Sequence, residues 1–209
     1  MSATGEQQSD ELDDPRSPRT ARGRRTREAL LEAALQEFGA RGFHATGITD
    51  ITRRAGVALG SFYTWFDSKE AIFRAVVAHL TQALREHVAP HLAGVESAIP
   101  REKAALSAFL DFVAKNQLIY RIIDEAEFVA PDSHRHHYET TVARIRARLE
   151  AGAAAGELRA DVGEVEAWAI AGMNVFLGLR YGVWADGPPP ADLVERANAL
   201  VARGLRARG

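Results

Sequence analysis

Most arrangements that would do covalent chemistry are missing from these 209 residues. With no cysteine, a thiol nucleophile, a thiolate zinc site and a disulfide framework are excluded. There is no Gly-x-Ser-x-Gly elbow to present a nucleophilic serine and no glycine-rich loop after a strand to cradle a phosphate. The acids show no pairing suited to proton transfer. His134, His136 and His137 cluster before a helix, and imidazole suits Zn, Ni or Cu, but nothing nearby completes a ligand set. A solvated histidine segment is expected there, with no metal and no cofactor. The chain reads as a binding protein rather than an enzyme.

The charges point to what is bound. Residues 1–15 carry five acids and no base, residues 16–74 carry 11 Arg/Lys against 6 Asp/Glu, and residues 75–209 carry 15 against 17. A basic block confined to one third of a chain of net charge −2 suggests a local polyanionic partner. Within it runs ITDITRRAGVALGSFYTWFDSK, residues 48–69. Ile48 and Ile51 mark a short helix that ends at Gly56, where a tight turn wants a positive φ. A second short helix follows from about Ala58 to Trp65. Two short helices joined in this way form a helix-turn-helix, whose second helix enters the DNA major groove.

The elements that must position this segment are helical almost throughout, and the absence of period-two alternation argues against strands. Residues 1–20 are polar, lack a core and are expected to be a disordered tail. From Thr26, Leu31, Leu35 and Phe38 recur at helical spacing until Gly42 closes the helix as a left-handed cap would. Ser68 reads as the N-cap of a long helix reaching Val88. Further helices are predicted over about 101–115, 118–129, 134–151 and 163–184, with a last one from Ala191 to about Arg206. The reading is an all-α fold: a helix-turn-helix domain over 21–67 and a larger helical domain over 68–209. No stretch reads as a signal peptide or a membrane span, so a cytoplasmic protein without a membrane partner is expected.

At this point a resemblance becomes plain. Ala55-Gly56-Val57, Gly60, Tyr63, Trp65-Phe66 and Ser68-Lys69-Glu70 resemble the signature of the TetR family of bacterial transcriptional regulators. So do Ala34-Leu35-Gln36-Glu37-Phe38 and Arg41-Gly42-Phe43. The match covers about 50 residues. It implies a homodimeric, ligand-responsive repressor on double-stranded operator DNA, with Tyr63 and Lys69 as phosphate contacts. Position along the second helix adds Leu59 and Ser61 as base readers and Gly60 as a point of close approach, with Thr49 at the groove edge and Thr64 as a weaker candidate. Trp65 can offer its indole N–H to a phosphate, and Arg24 and Arg25 can lie along the backbone or in the minor groove. Gly47 and Ala58 depart from the family by lacking capping hydroxyls. Asp50 can still reach back to the Gly47 N–H as half a capping box, and Thr46 is expected to take over part of the operator contact.

For the remaining two thirds the resemblance implies an effector pocket and a dimer interface. Ligand candidates are the aromatics Phe112, Tyr120, Phe128, Tyr138, Trp168 and Phe176, with Gln117, Arg121 and Asn174 as orienting groups. Small residues suit close helix packing, and the predicted dimer surface comprises Gly172, Phe176, Gly178, Leu179, Leu193 and Leu200. The run from Tyr120 to Phe128, with Tyr138-Glu139, loosely resembles a TetR branch that answers to acyl- or aryl-CoA thioesters. On that reading Arg121, Arg135 and Arg144 would meet the CoA phosphates. The effector would otherwise be any small hydrophobic molecule, and the rival reading is a ligand-independent structural or nucleoid DNA binder.

Overall fold

The structure is a computed structural model and describes residues 20–206. The tail expected at 1–20 lies outside the described residues apart from Thr20, as do Arg16 and Arg19 of the basic run. The described residues form nine α-helices and no strand. They are α1 (Ala21–Arg41), α2 (Ile48–Ala55), α3 (Leu59–Trp65), α4 (Lys69–Val88), α5 (Ala98–Lys115), α6 (Leu118–Val129), α7 (Pro131–Ala154), α8 (Glu164–Gly178) and α9 (Leu193–Leu205). A 3-10 turn follows α4 and a π-helical turn, Leu179–Val183, follows α8.

Local chemistry explains most boundaries. α1 begins earlier than the apolar periodicity suggests, because the Thr20 hydroxyl accepts the Gly23 N–H at 3.0 Å and caps it. Gly42 ends it at φ 83°, its N–H on the Phe38 carbonyl. Gly56 closes α2 in the left-handed region at φ 68°. Asp50 Oδ2 accepts the Gly47 N–H at 3.0 Å, the half box anticipated when the hydroxyl is missing. Ser68 Oγ accepts the Ala71 N–H at 3.1 Å. α7 begins three residues before the predicted 134, with Pro131 as its first residue, where a missing N–H costs nothing.

The chain divides into two compact units. The first comprises the described residues up to Val77 together with Arg121–Ala130; the second comprises Ala78–Tyr120 and the chain from Pro131 onward. In the first, Leu30, Phe38, Ile51, Phe62, Ile72, Phe73, Val76 and Ile122 are fully buried. Phe73 meets Phe38 and Phe43 edge-on at 5.2 and 5.1 Å. Burying one such side chain contributes about 1.5–3 kcal/mol. In the second, Val142, Ile145 and Leu149 of α7, Ala167, Ile170 and Ala171 of α8, and Val201 and Leu205 of α9 share one core.

Two of the dimer candidates belong to this interior. A side chain at Gly178 would run into the Tyr120 hydroxyl and the Phe109 ring, so this glycine admits a neighbouring helix of its own chain rather than a partner. Leu193 is likewise buried. Gly172 looks into open space, and Phe176 and Leu200 are 68% and 66% exposed. Val165, Trp168, Gly172 and Phe176 form an outward stripe at helical spacing on α8, and Leu200 is exposed on α9.

Candidate nucleic-acid interface

α3 is a two-faced helix. Phe62 is fully buried, and Phe66 just beyond the helix is nearly so; both anchor α3 to the first core. Leu59, Gly60, Tyr63 and Thr64, one turn apart in pairs, are all exposed, Leu59 and Tyr63 at 46% and 53%. Nothing stands within 4 Å of where a Gly60 side chain would begin. Ser61 lies half-buried at the margin of this face. Tyr63 is braced edge-on against Phe62 at 5.3 Å, which leaves its ring outward. The exposed face thus offers an apolar residue, a bare backbone position, a phenol and a hydroxyl. These can meet a thymine methyl, allow close approach and bond a phosphate or base edge. Thr49, at the start of α2, is also exposed. Arg24 and Arg25 are exposed, but they sit in the first turns of α1 rather than on a free arm before it.

Three candidates are placed differently from expectation. Thr46 is buried and its hydroxyl donates to the Gly42 carbonyl at 2.8 Å, so it fastens the α1–α2 loop and does not reach a phosphate. Lys69 is half-buried. Its ammonium donates to the Phe43 and Thr46 carbonyls at 2.8 and 2.9 Å and lies 4.3 Å over the Phe43 ring, so at least two of its three N–H groups hold the loop. Trp65 packs its six-membered ring on Gly23 of α1, where any side chain would collide with it.

Sequence reasoning also missed an ion network behind the interface. Glu37, buried in α1, accepts from Arg54 at 2.7 Å and from Arg41 at 3.3 Å. Arg41 also lies 3.2 Å from Asp50. The Arg54 hydrogen bond, followed by the Arg54 and Arg41 charges, holds the Glu37 carboxyl below the usual carboxylate range against the opposing effect of burial. The Gly47 N–H and then Arg53 lower Asp50 in the same way. The acids at helical spacing gave no hint of partners up to 17 residues away. α6 adds a further brace. Glu125 accepts the Phe43 N–H at 2.6 Å, and Arg121 donates to the Ala40 carbonyl at 2.9 Å. Gly42 must be glycine here, because at its positive φ a side chain would also strike the Glu125 carboxylate. Arg121, taken as a ligand contact, is instead bound to the end of α1.

The other ligand candidates scatter. Phe128 is 81% exposed, and Trp168 and Phe176 lie on the outward stripe of α8. Phe112 is buried against His87, with ring centroids 5.5 Å apart. Gln117 donates to the Gly182 carbonyl at 2.8 Å, and Tyr120 to the Val175 carbonyl at 2.7 Å. Tyr138 sits half-buried against the rings of His134 and His137. His137 is itself buried, shares a 2.7 Å hydrogen bond with Thr81, and is pushed down to about 4 by burial first and then by the charges of His134, Arg144 and His136. Asn174 alone of the nine lines a cavity of about 390 Å³ in the second unit, among Leu84, Val88, Phe109 and Ile145. Arg144 lines the same cavity, whereas Arg135 is exposed and is not among its lining residues.

Comparison with known proteins agrees with this geometry. Residues 30–76 match the family model described as bacterial regulatory proteins, tetR family. The chain is 30% identical over 148 residues to the HTH-type transcriptional repressor KstR2 of Rhodococcus jostii, a match spanning 67% of this chain and 70% of that protein. It is 36% identical over 110 residues to the HTH-type transcriptional activator FasR of Mycolicibacterium smegmatis, covering 49% of this chain and 47% of the relative, so that match spans about half of FasR's length. The fatty acid degradation regulator FadR of Bacillus halodurans has the same fold, with a TM-score of 0.75 at 17% identity over 87% of this chain and 97% of its own. No helix among the described residues is long and apolar enough to cross a membrane. With a helix-turn-helix whose second helix turns Leu59, Gly60, Tyr63 and Thr64 outward, the chain belongs to the tetR family of bacterial transcriptional regulators.

Proposed function

We propose that this regulator is a dimeric repressor that binds a palindromic operator through α3 and is released by a small, largely apolar effector. The observation that carries the reading is the contrast within α3. Phe62 and Phe66 fix the helix to a packed core, and Leu59, Gly60, Tyr63 and Thr64 face outward, the Thr64 hydroxyl donating to the Gly60 carbonyl at 3.4 Å. Rigid mounting of an exposed helix is what base readout needs. Leu59 and Ser61 are assigned to bases, Tyr63, Thr49, Thr64 and the Arg24–Arg25 pair to backbone or groove edge, and Gly60 to close approach. Trp65 and Lys69 are assigned to holding the unit, with an indole N–H and a remaining ammonium hydrogen free in principle for phosphate.

The outward stripe of Val165, Trp168, Gly172 and Phe176 is assigned to a partner copy together with exposed Leu200 of α9, since exposed apolar residues in patches mark association surfaces. A groove of about 450 Å³ that includes Met173, Leu177 and Leu200 continues it. The cavity beside Asn174 is assigned to the effector. It favours this reading over a ligand-independent DNA binder, which would have no use for an open, largely apolar space. α4 lines the cavity with Leu84, Arg85 and Val88 and begins in the first unit, and it is the route by which an occupied cavity would act on α3. Coupling of this kind is typically worth about 1–3 kcal/mol.

Footprinting with light scattering tests the proposal. A dimer at micromolar concentration should protect two half-sites about one helical turn apart. Phe176→Glu should yield a monomer that protects far less. A wild-type monomer that protects a single site would overturn the dimeric reading.

A further inference from the structure

We propose that the cavity of the second unit takes an amphipathic anion, its apolar body among Leu84, Val88, Phe109 and Ile145 and its charged head against Arg144 and Arg85. The inference rests on the ligand-responsive reading above and adds the chemistry of the ligand.

Four arginines line this cavity: Arg85, Arg101, Arg144 and Arg148. Their states differ. Arg148 is answered by Glu102 through two hydrogen bonds of 2.5 and 2.9 Å, so its charge is balanced inside the protein. Arg101 gives one nitrogen to the Val95 carbonyl at 3.2 Å, while its buried Nε has no partner among the described residues. Neither Arg85 nor Arg144 forms an ion pair or hydrogen bond among the described residues. The Arg144 guanidinium is held below its ordinary value, by partial burial first and then by the Arg85 cation beside it.

Two neighbouring cations at the wall of an apolar space, one of them partly withdrawn from water, are an unfavourable arrangement until an anion joins them. Guanidinium groups bind carboxylate or phosphate oxygens in a planar, two-bonded geometry, with a strength that neutral donors do not match. A cationic ligand would add to the repulsion, and a neutral one would leave it uncompensated. Asn174 adds a second feature. It is buried, its Oδ1 has no partner among the described residues, and it lines the same space. A free acceptor there suits a ligand hydroxyl or amide N–H on the body of the molecule rather than its head.

The head is either a carboxylate within the cavity or phosphate groups at its mouth, as in a free acid or a CoA thioester. The test uses the full chain and four probes with the same tail: decanoate, decanoyl-CoA, decanol and decyltrimethylammonium, each below its micelle threshold. Affinity is read by calorimetry and release by displacement from operator DNA. At least one of the two anions should bind about tenfold to a hundredfold more tightly than decanol, the span expected of hydrogen bonds to a charged group. Which anion binds tells the carboxylate from the thioester. Arg144→Gln should remove most of that discrimination while leaving decanol affinity and operator binding unchanged. Arg85→Gln, at an exposed side chain, should do the same in part and guards against a packing artefact.

If decanol or the cation binds as well as the anions and releases operator, the anion proposal is overturned and the ligand-responsive reading stands. If discrimination persists in both variants, the head lies elsewhere and the proposal is likewise overturned. If no probe of any class binds while operator binding is intact, both readings fall.

Discussion

In the first unit the charges that packing withdraws from water are met within the unit: Glu37 by Arg54 and Arg41, Lys69 by the Phe43 and Thr46 carbonyls, and Glu125 by the Phe43 N–H. In the second unit Arg85 and Arg144 line a cavity without a partner among the described residues, and α8 turns Trp168 and Phe176 to the outside. The first arrangement makes a braced platform with Leu59, Gly60, Tyr63 and Thr64 of α3 on its outside. The second leaves binding energy unused in two places, a cavity and an apolar face. A unit that must present fixed geometry closes its own interactions, and a unit that must respond to a molecule keeps some open.

Substitutions on α3 break this contrast most severely. Phe62→Ala should cost about 3–5 kcal/mol and unfold the platform, because a fully buried ring is removed. Its neighbour Tyr63→Phe should leave the melting temperature unchanged and weaken DNA binding alone. Thermal melts paired with operator titrations separate the two. Equal effects on stability would mean that Tyr63 is structural.

His137 is a titratable group that the second unit buries with no acid among the causes of its shift within the described residues. Its folded value of about 4 lies below the ordinary 6.5, so the unfolded chain takes up the proton first. Stability is full above pH 6.5 and is lost as pH falls toward 4, by roughly 3 kcal/mol at most. Urea melts across that window should show the loss, and His137→Gln should flatten it.

Lys69→Met should destabilise the first unit by about 1–3 kcal/mol, since two loop carbonyls lose their donor. A variant of unchanged melting temperature and weaker DNA affinity would instead assign Lys69 to phosphate alone. Smallest is the effect of Glu37→Gln. The Glu37 carboxyl is held below its ordinary 4.5, so its contribution is present above that pH and fades as acid protonates it. Wild type should exceed the variant in stability at neutral pH and converge with it below pH 4.5.

The residues show why some of this was legible and some not. Gly42, Gly56, Ser68 and the half cap of Asp50 act within a turn of their own position, so their types and spacing announce them. Periodicity likewise announces Leu31 and Phe38 on the buried side of α1, whereas on α8 the apolar spacing of Trp168 and Phe176 marks an exposed face. Lys69 matched a family position, but its partners lie 23 and 26 residues back in the chain. Arg121 finds its carbonyl 81 residues away, and α6 is divided between the units, which no local pattern can express. Aromatic type alone did not distinguish inward from outward: Phe112 is buried and Phe128 exposed, and of Arg121, Arg135 and Arg144 only Arg144 lines the cavity.

The central claim is that the exposed face of α3 reads base sequence in double-stranded DNA. Selection of random duplexes with the full chain, repeated with Leu59→Ala, tests it most directly. The expected result is an enriched palindrome, an affinity that falls steeply with salt at a log–log slope of about −0.9 per phosphate contact, and relaxed preference at one position of each half-site in the variant, worth about 1–3 kcal/mol there. No enriched sequence, or an affinity indifferent to salt, would contradict it.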